Sequence, residues 1–151
     1  MVAWERVRRT TPEFEPVYFD LVDGYLQQKD YDKAIRVMRD AKDRWPRDPE
    51  VLQALGVAQV WRGALDDAVE SFGQAVALSP DEGVAHFNLG KAFELRYRAS
   101  RRYVQQLRAW VANDNDRAKA IASYQRYLTM GGPFENAARE GLSRLEWTVK
   151  Q

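Results

Sequence analysis

A chain of 151 residues with 45% hydrophobic and 30% charged side chains is one domain by size, or one short array of repeats, and its composition excludes disorder. Its 23 basic and 22 acidic side chains leave a net charge of +1, which gives no electrostatic reason to expect nucleic acid or an anionic membrane as the main partner. The absence of cysteine removes disulfides, thiolate nucleophiles and Cys-ligated zinc, and no apolar run reaches the roughly 18 residues that span a bilayer. With a charged start at Met1 to Thr10 in place of a leader, the expectation is a soluble chain, the cytoplasm being the favoured compartment.

The charge is unevenly spread. Residues 51 to 95 carry two basic and six acidic side chains (−4), whereas residues 96 to 151 carry eleven basic and five acidic (+6).

The elements follow a register of 34 residues, which links Leu21, Leu55 and Leu89, then Pro12, Pro46 and Pro80, then Tyr25, Gln59 and Phe93. Tyr18, Leu52 and His86 keep the same interval, as do Ala34 and Ala68, Ala41 and Ala75, and Trp4, Met38 and Phe72. In chain order, residues 1 to 12 read as the end of a second helix whose own partner is missing, with an apolar side over Val2 to Arg8 that favours association. Unit 1, residues 15 to 48, predicts a first helix from Val17 to Gln28 with Tyr18, Leu21, Val22 and Tyr25 on one face. A turn at Lys29 and Asp30 follows, then a second helix from Tyr31 to Arg44, stopped by Pro46. Unit 2, residues 49 to 82, predicts helices from Val51 to Trp61 and from Leu65 to Leu78 around a turn centred on Gly63, with Gly56 facing Ala68 at a close approach.

These columns resemble the tetratricopeptide repeat family. Its pattern of a bulky residue, Leu and Gly, an aromatic, Ala, an aromatic, Ala and Pro stands in unit 2 as Leu52, Leu55, Gly56, Gln59, Ala68, Phe72, Ala75 and Pro80. Unit 1 matches as Tyr18, Leu21, Val22, Tyr25, Ala34, Met38, Ala41 and Pro46, with Val22 in place of the usual small residue. The resemblance implies an all-α fold, a right-handed α-solenoid of antiparallel helix pairs whose first helices line a concave groove for a peptide or protein segment.

Unit 3, residues 83 to 132, opens in register with His86, Leu89, Gly90 and Phe93. Its second helix arrives late, because Ala120, Ile121 and Tyr124 match Ala68, Val69 and Phe72 at a spacing of 52, so 18 residues near 97 to 114 are inserted. Eighteen residues without Pro or Gly make five helical turns, which predicts an extended first helix to about Ala112, projecting about 20 to 25 Å, and a turn from Asn113 to Asp116. A stripe of Tyr97, Tyr103, Val104, Leu107, Trp110 and Val111 beside Arg96, Arg98, Arg101, Arg102 and Arg108 has two main readings, with nucleic acid or membrane contact a minor third because the aromatic and arginine interleaving is confined to one short segment. It packs on the solenoid, or it forms a second interface for an acidic partner or a second copy of the chain, with Tyr97, Arg101, Tyr103, Leu107, Arg108 and Trp110 as its contacts. Residues 133 to 151 complete the chain with a capping helix from Phe134 to Val149 after Gly131, Gly132 and Pro133, its apolar face formed by Ala138, Leu142 and Leu145.

No catalytic, metal or cofactor set emerges. The one histidine, His86, occupies the packing register of Tyr18 and Leu52, and no serine has a histidine base to activate it. Asp30 with Asp32, and Asp66 with Asp67, stand at helix starts, where negative charge meets the helix dipole favourably.

Residues one face away from the packing columns are the candidate groove: Phe19, Asp23, Leu26 and Gln27; Gln53, Val57 and Trp61; and Phe87, Asn88, Lys91 and Glu94. Phe19 and Phe87 are equally readable as contacts to neighbouring helices. Family members that grip a C-terminal carboxylate do so with Lys, Asn and Arg, where this chain has Phe19, Asp23, Ala54, Val84 and Asn88. The groove therefore suits a peptide with apolar side chains and a basic group near Asp20 and Asp23. The functional expectation is a non-catalytic protein-interaction module or scaffold; the alternatives are a self-associating element, joined through the N-terminal edge or the extended helix, and a regulatory segment of a larger enzyme.

Overall fold

The computed structural model describes residues 1 to 147, all of the backbone to that point and every side chain before Trp147. The described chain forms eight helices and one two-stranded hairpin, grouped into one compact unit over Met1–Leu78 and another beginning at Ser79.

In the first unit, α1 (Val2–Thr10) lies against α2 (Pro16–Gln27), which pairs with α3 (Tyr31–Arg44); α4 (Pro49–Arg62) then packs on α3 and pairs with α5 (Leu65–Leu78). Pro16 and Pro49 open α2 and α4, at the first helical position where a missing backbone N–H costs nothing and the fixed φ is already helical. Asp30 and Asp48 cap α3 and α4: the Asp30 carboxylate accepts from the Lys33 N–H, and Asp48 from the N–H groups of Glu50 and Val51. Gly63 ends α4 with φ 82°, a left-handed conformation in which a side chain would be strained. The helices of unit 1's second position and unit 2's second position have the bounds their periodicity indicates.

The core of this unit is the set of register columns. Tyr18, Leu21, Ala34, Met38, Ala41, Leu55 and Ala58 are buried, and Phe19, Leu26, Trp45 and Ala54 pack against them half-buried. One expectation changes here. A Cβ on Gly56 would lie 2.6 to 2.8 Å from the Phe72 ring, so this glycine makes room for Phe72 and not for Ala68. Apolar burial along these columns, at roughly 25 cal/mol per Å², is what holds the helix pairs together.

In the second unit α6 (Gly83–Ser100) pairs with α7 (Asp114–Met130), and α8 (Glu135–Trp147) packs on both. At 18 residues α6 exceeds α4, which has 14, by about one turn, but the helix does not continue to Ala112 as its composition suggests. The remaining insertion is an antiparallel hairpin of β1 (Arg102–Val104) and β2 (Ala109–Val111), in the register Arg102 with Val111, Tyr103 with Trp110 and Val104 with Ala109.

Three local features explain the hairpin. Arg101 leaves the helix in an extended conformation (φ −66°, ψ 124°), and the following residues alternate, with Val104 and Val111 half-buried on one side and Tyr103 and Trp110 exposed on the other. A four-residue loop, Gln105 to Arg108, closes the strands, with Arg108 supplying the positive φ of 48° that ends such turns. At the base, the Asn113 N–H donates to Ser100 Oγ at 2.9 Å, while the Ser100 hydroxyl donates to the Tyr97 carbonyl at 2.6 Å, so the two ends of the insertion are tied together. The β-hairpin replaces the projecting helical arm.

The capping helix begins after Gly131, Gly132 and Pro133 and buries Ala138 and Leu145 with Leu142 half-buried; the expected last turn at Thr148 and Val149 lies outside the described residues.

Candidate protein-binding surfaces

The expected groove positions separate into open and covered sets. In the first unit, Asp23 and Gln27 on α2 are exposed, Val57 on α4 is half-buried, and Trp61 at the end of α4 is 63% exposed with its ring stacked on Tyr31 at 6.4 Å. Arg62 beside it donates to Asp32 at 2.8 Å, which pins the end of α4 to the start of α3. Phe19 is partly covered by the core, and Gln53 is buried rather than groove-lining.

In the second unit the same register is covered by the cap. Phe87 stacks on Phe134 at 4.8 Å and meets the Tyr124 and Tyr127 rings at 5.8 and 5.5 Å, so it is a packing residue; Asn88 and Lys91 remain half-buried. The Tyr127 hydroxyl accepts from the Phe134 N–H at 2.7 Å and fixes the entry into α8.

Glu94 is the largest departure from the expected groove. Its side chain is 1% exposed and accepts hydrogen bonds from the Tyr124 hydroxyl at 2.6 Å and from Arg144 Nε and Nη2 at 2.7 and 3.2 Å. Burial works to raise the Glu94 pKa, but the Arg144 and Tyr124 hydrogen bonds outweigh it and hold the carboxyl below its ordinary range. The Tyr124 phenol is pushed up, first by burial and then by the adjacent carboxylate. This cluster joins α6, α7 and α8 with ionic hydrogen bonds and cannot at the same time receive a guest.

A second ion pair positions the start of α7. Arg96 donates bidentately to Asp116, which is fully buried, at 2.8 and 2.7 Å, and the Asn113 amide adds a third bond to the same carboxylate at 3.0 Å. The repeat register also explains His86. Its Nε2 lies 2.8 Å from the Pro80 carbonyl, six residues back, as the Tyr18 hydroxyl donates to the Pro12 carbonyl at 3.0 Å. Because a carbonyl only accepts, His86 Nε2 carries the proton in this bond, which repeats the packing role of Tyr18.

The expected second interface is brought together by the hairpin, with one exception. Tyr103 and Trp110 face each other across the strands in a T-shaped contact at 5.8 Å, Arg101 lies over the Trp110 ring at 5.7 Å, and Leu107 and Arg108 form the loop. Tyr103, Leu107 and Trp110 are 53%, 66% and 65% exposed. Tyr97 is buried at the base and supports this surface without forming its outer face. Among the described residues, no group of three or more His, Asp or Glu could hold a metal ion.

The tetratricopeptide repeat model matches residues 25–81. Cellulose synthase operon protein C of Komagataeibacter xylinus is 29% identical over 116 residues, which cover 77% of this chain and 9% of that protein, so the chain spans a small part of that relative's length. Among solved structures, that of MamA superposes with a TM-score of 0.76 at 17% identity over 98% of this chain and 75% of its own. The first tetratricopeptide repeat domain of Spaghetti (RPAP3), bound to the HSP90 peptide SRMEEVD, superposes with a TM-score of 0.71 at 20% identity over 92% of this chain and 95% of its own. Residues 25–81 thus match the tetratricopeptide repeat family, and with its 34-residue columns buried as helix-pair contacts the chain shares the all-α fold of these structures.

Proposed function

We propose that the chain is a non-catalytic module that binds a peptide or protein segment along the first helices of its first unit. The observation that carries this reading is Trp61, a large aromatic held 63% exposed by its stack on Tyr31, at the end of the α4 row that includes Val57. Rigid, half-supported aromatics are the residues that anchor protein interfaces, because little side-chain entropy is lost when they are covered. Asp23 and Gln27 on α2 add an acidic and an amide group to the same class of positions, which favours a segment with apolar side chains and a basic residue. Solved structures of the same fold support the reading, since one of them is bound to a peptide.

The test is selection of peptides from a random displayed library on the intact chain, followed by affinity measurement on Trp61→Ala and Val57→Glu. Selected peptides that lose about tenfold or more on either variant support the site. Peptides that bind both variants as tightly as the parent chain remove the first helices from the account.

A second reading rests on α1, where Val2 and Trp4 are exposed on a short helix none of whose residues is buried. This edge supports self-association. Light scattering over a range of concentrations checks it, and a strict monomer ends it.

A further inference from the structure

The second unit holds two adjoining clefts that share Tyr97 and Arg101. One, of about 410 Å³, lies between the end of α6 and α8, walled by Tyr97 and Leu145 with Arg98 and Arg144 at its rim. The other, of about 380 Å³, lies under the hairpin between Trp110, Val111 and the start of α7, with Arg117 and Asp114 on its far side. Their common edge is Arg101, whose guanidinium covers the Trp110 ring.

The charges around these clefts are unequal. Arg144 is bound to Glu94, and Arg117 donates to the Leu145 carbonyl at 2.9 Å. Arg98, Arg101, Arg102 and Arg108 form no ion pair with any described carboxylate, although each is exposed on α6 or the hairpin. Arg101 over Trp110, with Arg98 beside it on the cleft walled by Tyr97 and Leu145, sets two cations next to exposed apolar surface, and Arg108 adds a third in the hairpin loop beside Leu107. An arrangement of this kind attracts carboxylates electrostatically and keeps the site for partners that also bring an apolar side chain.

We infer that the hairpin and the end of α6 form a docking site for an acidic peptide segment of a protein partner, its carboxylates on Arg98 and Arg101 and an aromatic or aliphatic side chain against Trp110. The chemistry favours a peptide over a nucleic acid strand. Asp114 lines the cleft under the hairpin, and a phosphodiester chain with a charge at every nucleotide would meet it. A peptide can place its carboxylates at the arginines and present amide N–H groups or apolar atoms elsewhere. This site lies wholly within the second unit and does not depend on the first-helix surface proposed above.

The experiment pans a random dodecapeptide phage library on the intact chain and, in parallel, on the double variant Arg98→Gln/Arg101→Gln. Selected peptides are then synthesised and titrated by fluorescence anisotropy. The result expected is a class of peptides with Asp or Glu beside an aromatic or aliphatic residue, binding at least about tenfold more weakly to the double variant and to Trp110→Ala, and losing affinity with added salt. The same peptides bind Trp61→Ala unchanged, which separates this site from the first-helix surface. Circular dichroism of each variant checks the fold, which these exposed substitutions leave intact.

Three results overturn the inference. One is that no acidic peptide is enriched, and another is that enriched peptides bind the variants as the parent chain does. The third is that a single-stranded oligonucleotide of equal charge binds more tightly than the peptides, which would reassign the surface to nucleic acid.

Discussion

Arg144→Met keeps the length of the side chain and removes its charge, leaving the Glu94 carboxylate 1% exposed with the Tyr124 hydroxyl as its remaining hydrogen-bond donor of the three described. Breaking a fully buried ion pair from one side destabilises a protein by about 3 to 5 kcal/mol. Arg144 is itself 42% exposed, so water screens the pair and about 2 to 3 kcal/mol is the better expectation. For a domain of this size that corresponds to a fall in Tm of about 4 to 12 °C, read by circular dichroism at neutral pH. The pH dependence gives an independent check. In the parent chain the Glu94 pKa is lowered on folding, so its contribution is present above the unfolded value and is lost as pH falls through the folded one. In Arg144→Met burial dominates and raises the same pKa, so stability is instead gained as pH falls, and the gap between the two proteins narrows towards acid. An Arg144→Met protein within about 0.5 kcal/mol of the parent, with a gap independent of pH, would refute the reasoning and reduce the pair to an ordinary surface contact.

Gly56→Ala brings a Cβ to 2.6 Å from the Phe72 ring, an overpacking that destabilises by about 1 to 3 kcal/mol in denaturant unfolding. Gly73→Ala in α5 meets nothing within 4 Å and stabilises by about 0.4 to 1 kcal/mol through helix propensity and the unfolded chain, so the two glycine substitutions have opposite signs in one assay. Glu15, at the start of α2, has its pKa raised by burial and then by Asp48 and Glu50, and one of its carboxylate oxygens is buried without a hydrogen-bond partner. A folded pKa above the unfolded one gives stability that is full at low pH and is lost as pH rises through the folded value. Glu15→Gln therefore raises Tm at pH 7 and changes little at about pH 4. A Glu15→Gln protein with an unchanged Tm at both pH values contradicts that balance.

The helix pairs are legible in the sequence because their ends carry side chains that act locally. Asp30 caps α3, Pro46 and Pro80 forbid further helix, and Gly63 supplies the left-handed turn, so the limits of α3 and α5 follow from neighbours a few residues away. The hairpin is hidden for the same reason inverted. Its loop, Gln105 to Arg108, contains no Gly, Asn or Asp, and its left-handed residue is an arginine, so no turn signal interrupts a stretch whose aromatic and aliphatic residues fit helical spacing as well as strand alternation. The tie from Asn113 to Ser100 that closes the insertion is a contact across thirteen residues that periodicity does not report.

The surface residues were less legible than the core, since spacing says which residues share a helix face and not which element covers that face. Phe87 and Glu94 lie on the stripe of Lys91, but Phe134 and Arg144, more than forty residues later, decide that the stripe is covered. Trp61 differs because its neighbour Tyr31 supports the ring from one side and leaves the other open.

The proposed function rests on the first helices as a binding face. Amide hydrogen exchange on the intact chain with and without a library-selected peptide that binds it, and loses affinity on Trp61→Ala, reads that face directly. Added protection centred on α2 around Asp23 and on α4 from Val57 to Trp61 is the result expected. Protection confined to α3 and α5, with α2 and α4 exchanging as they do alone, would contradict it.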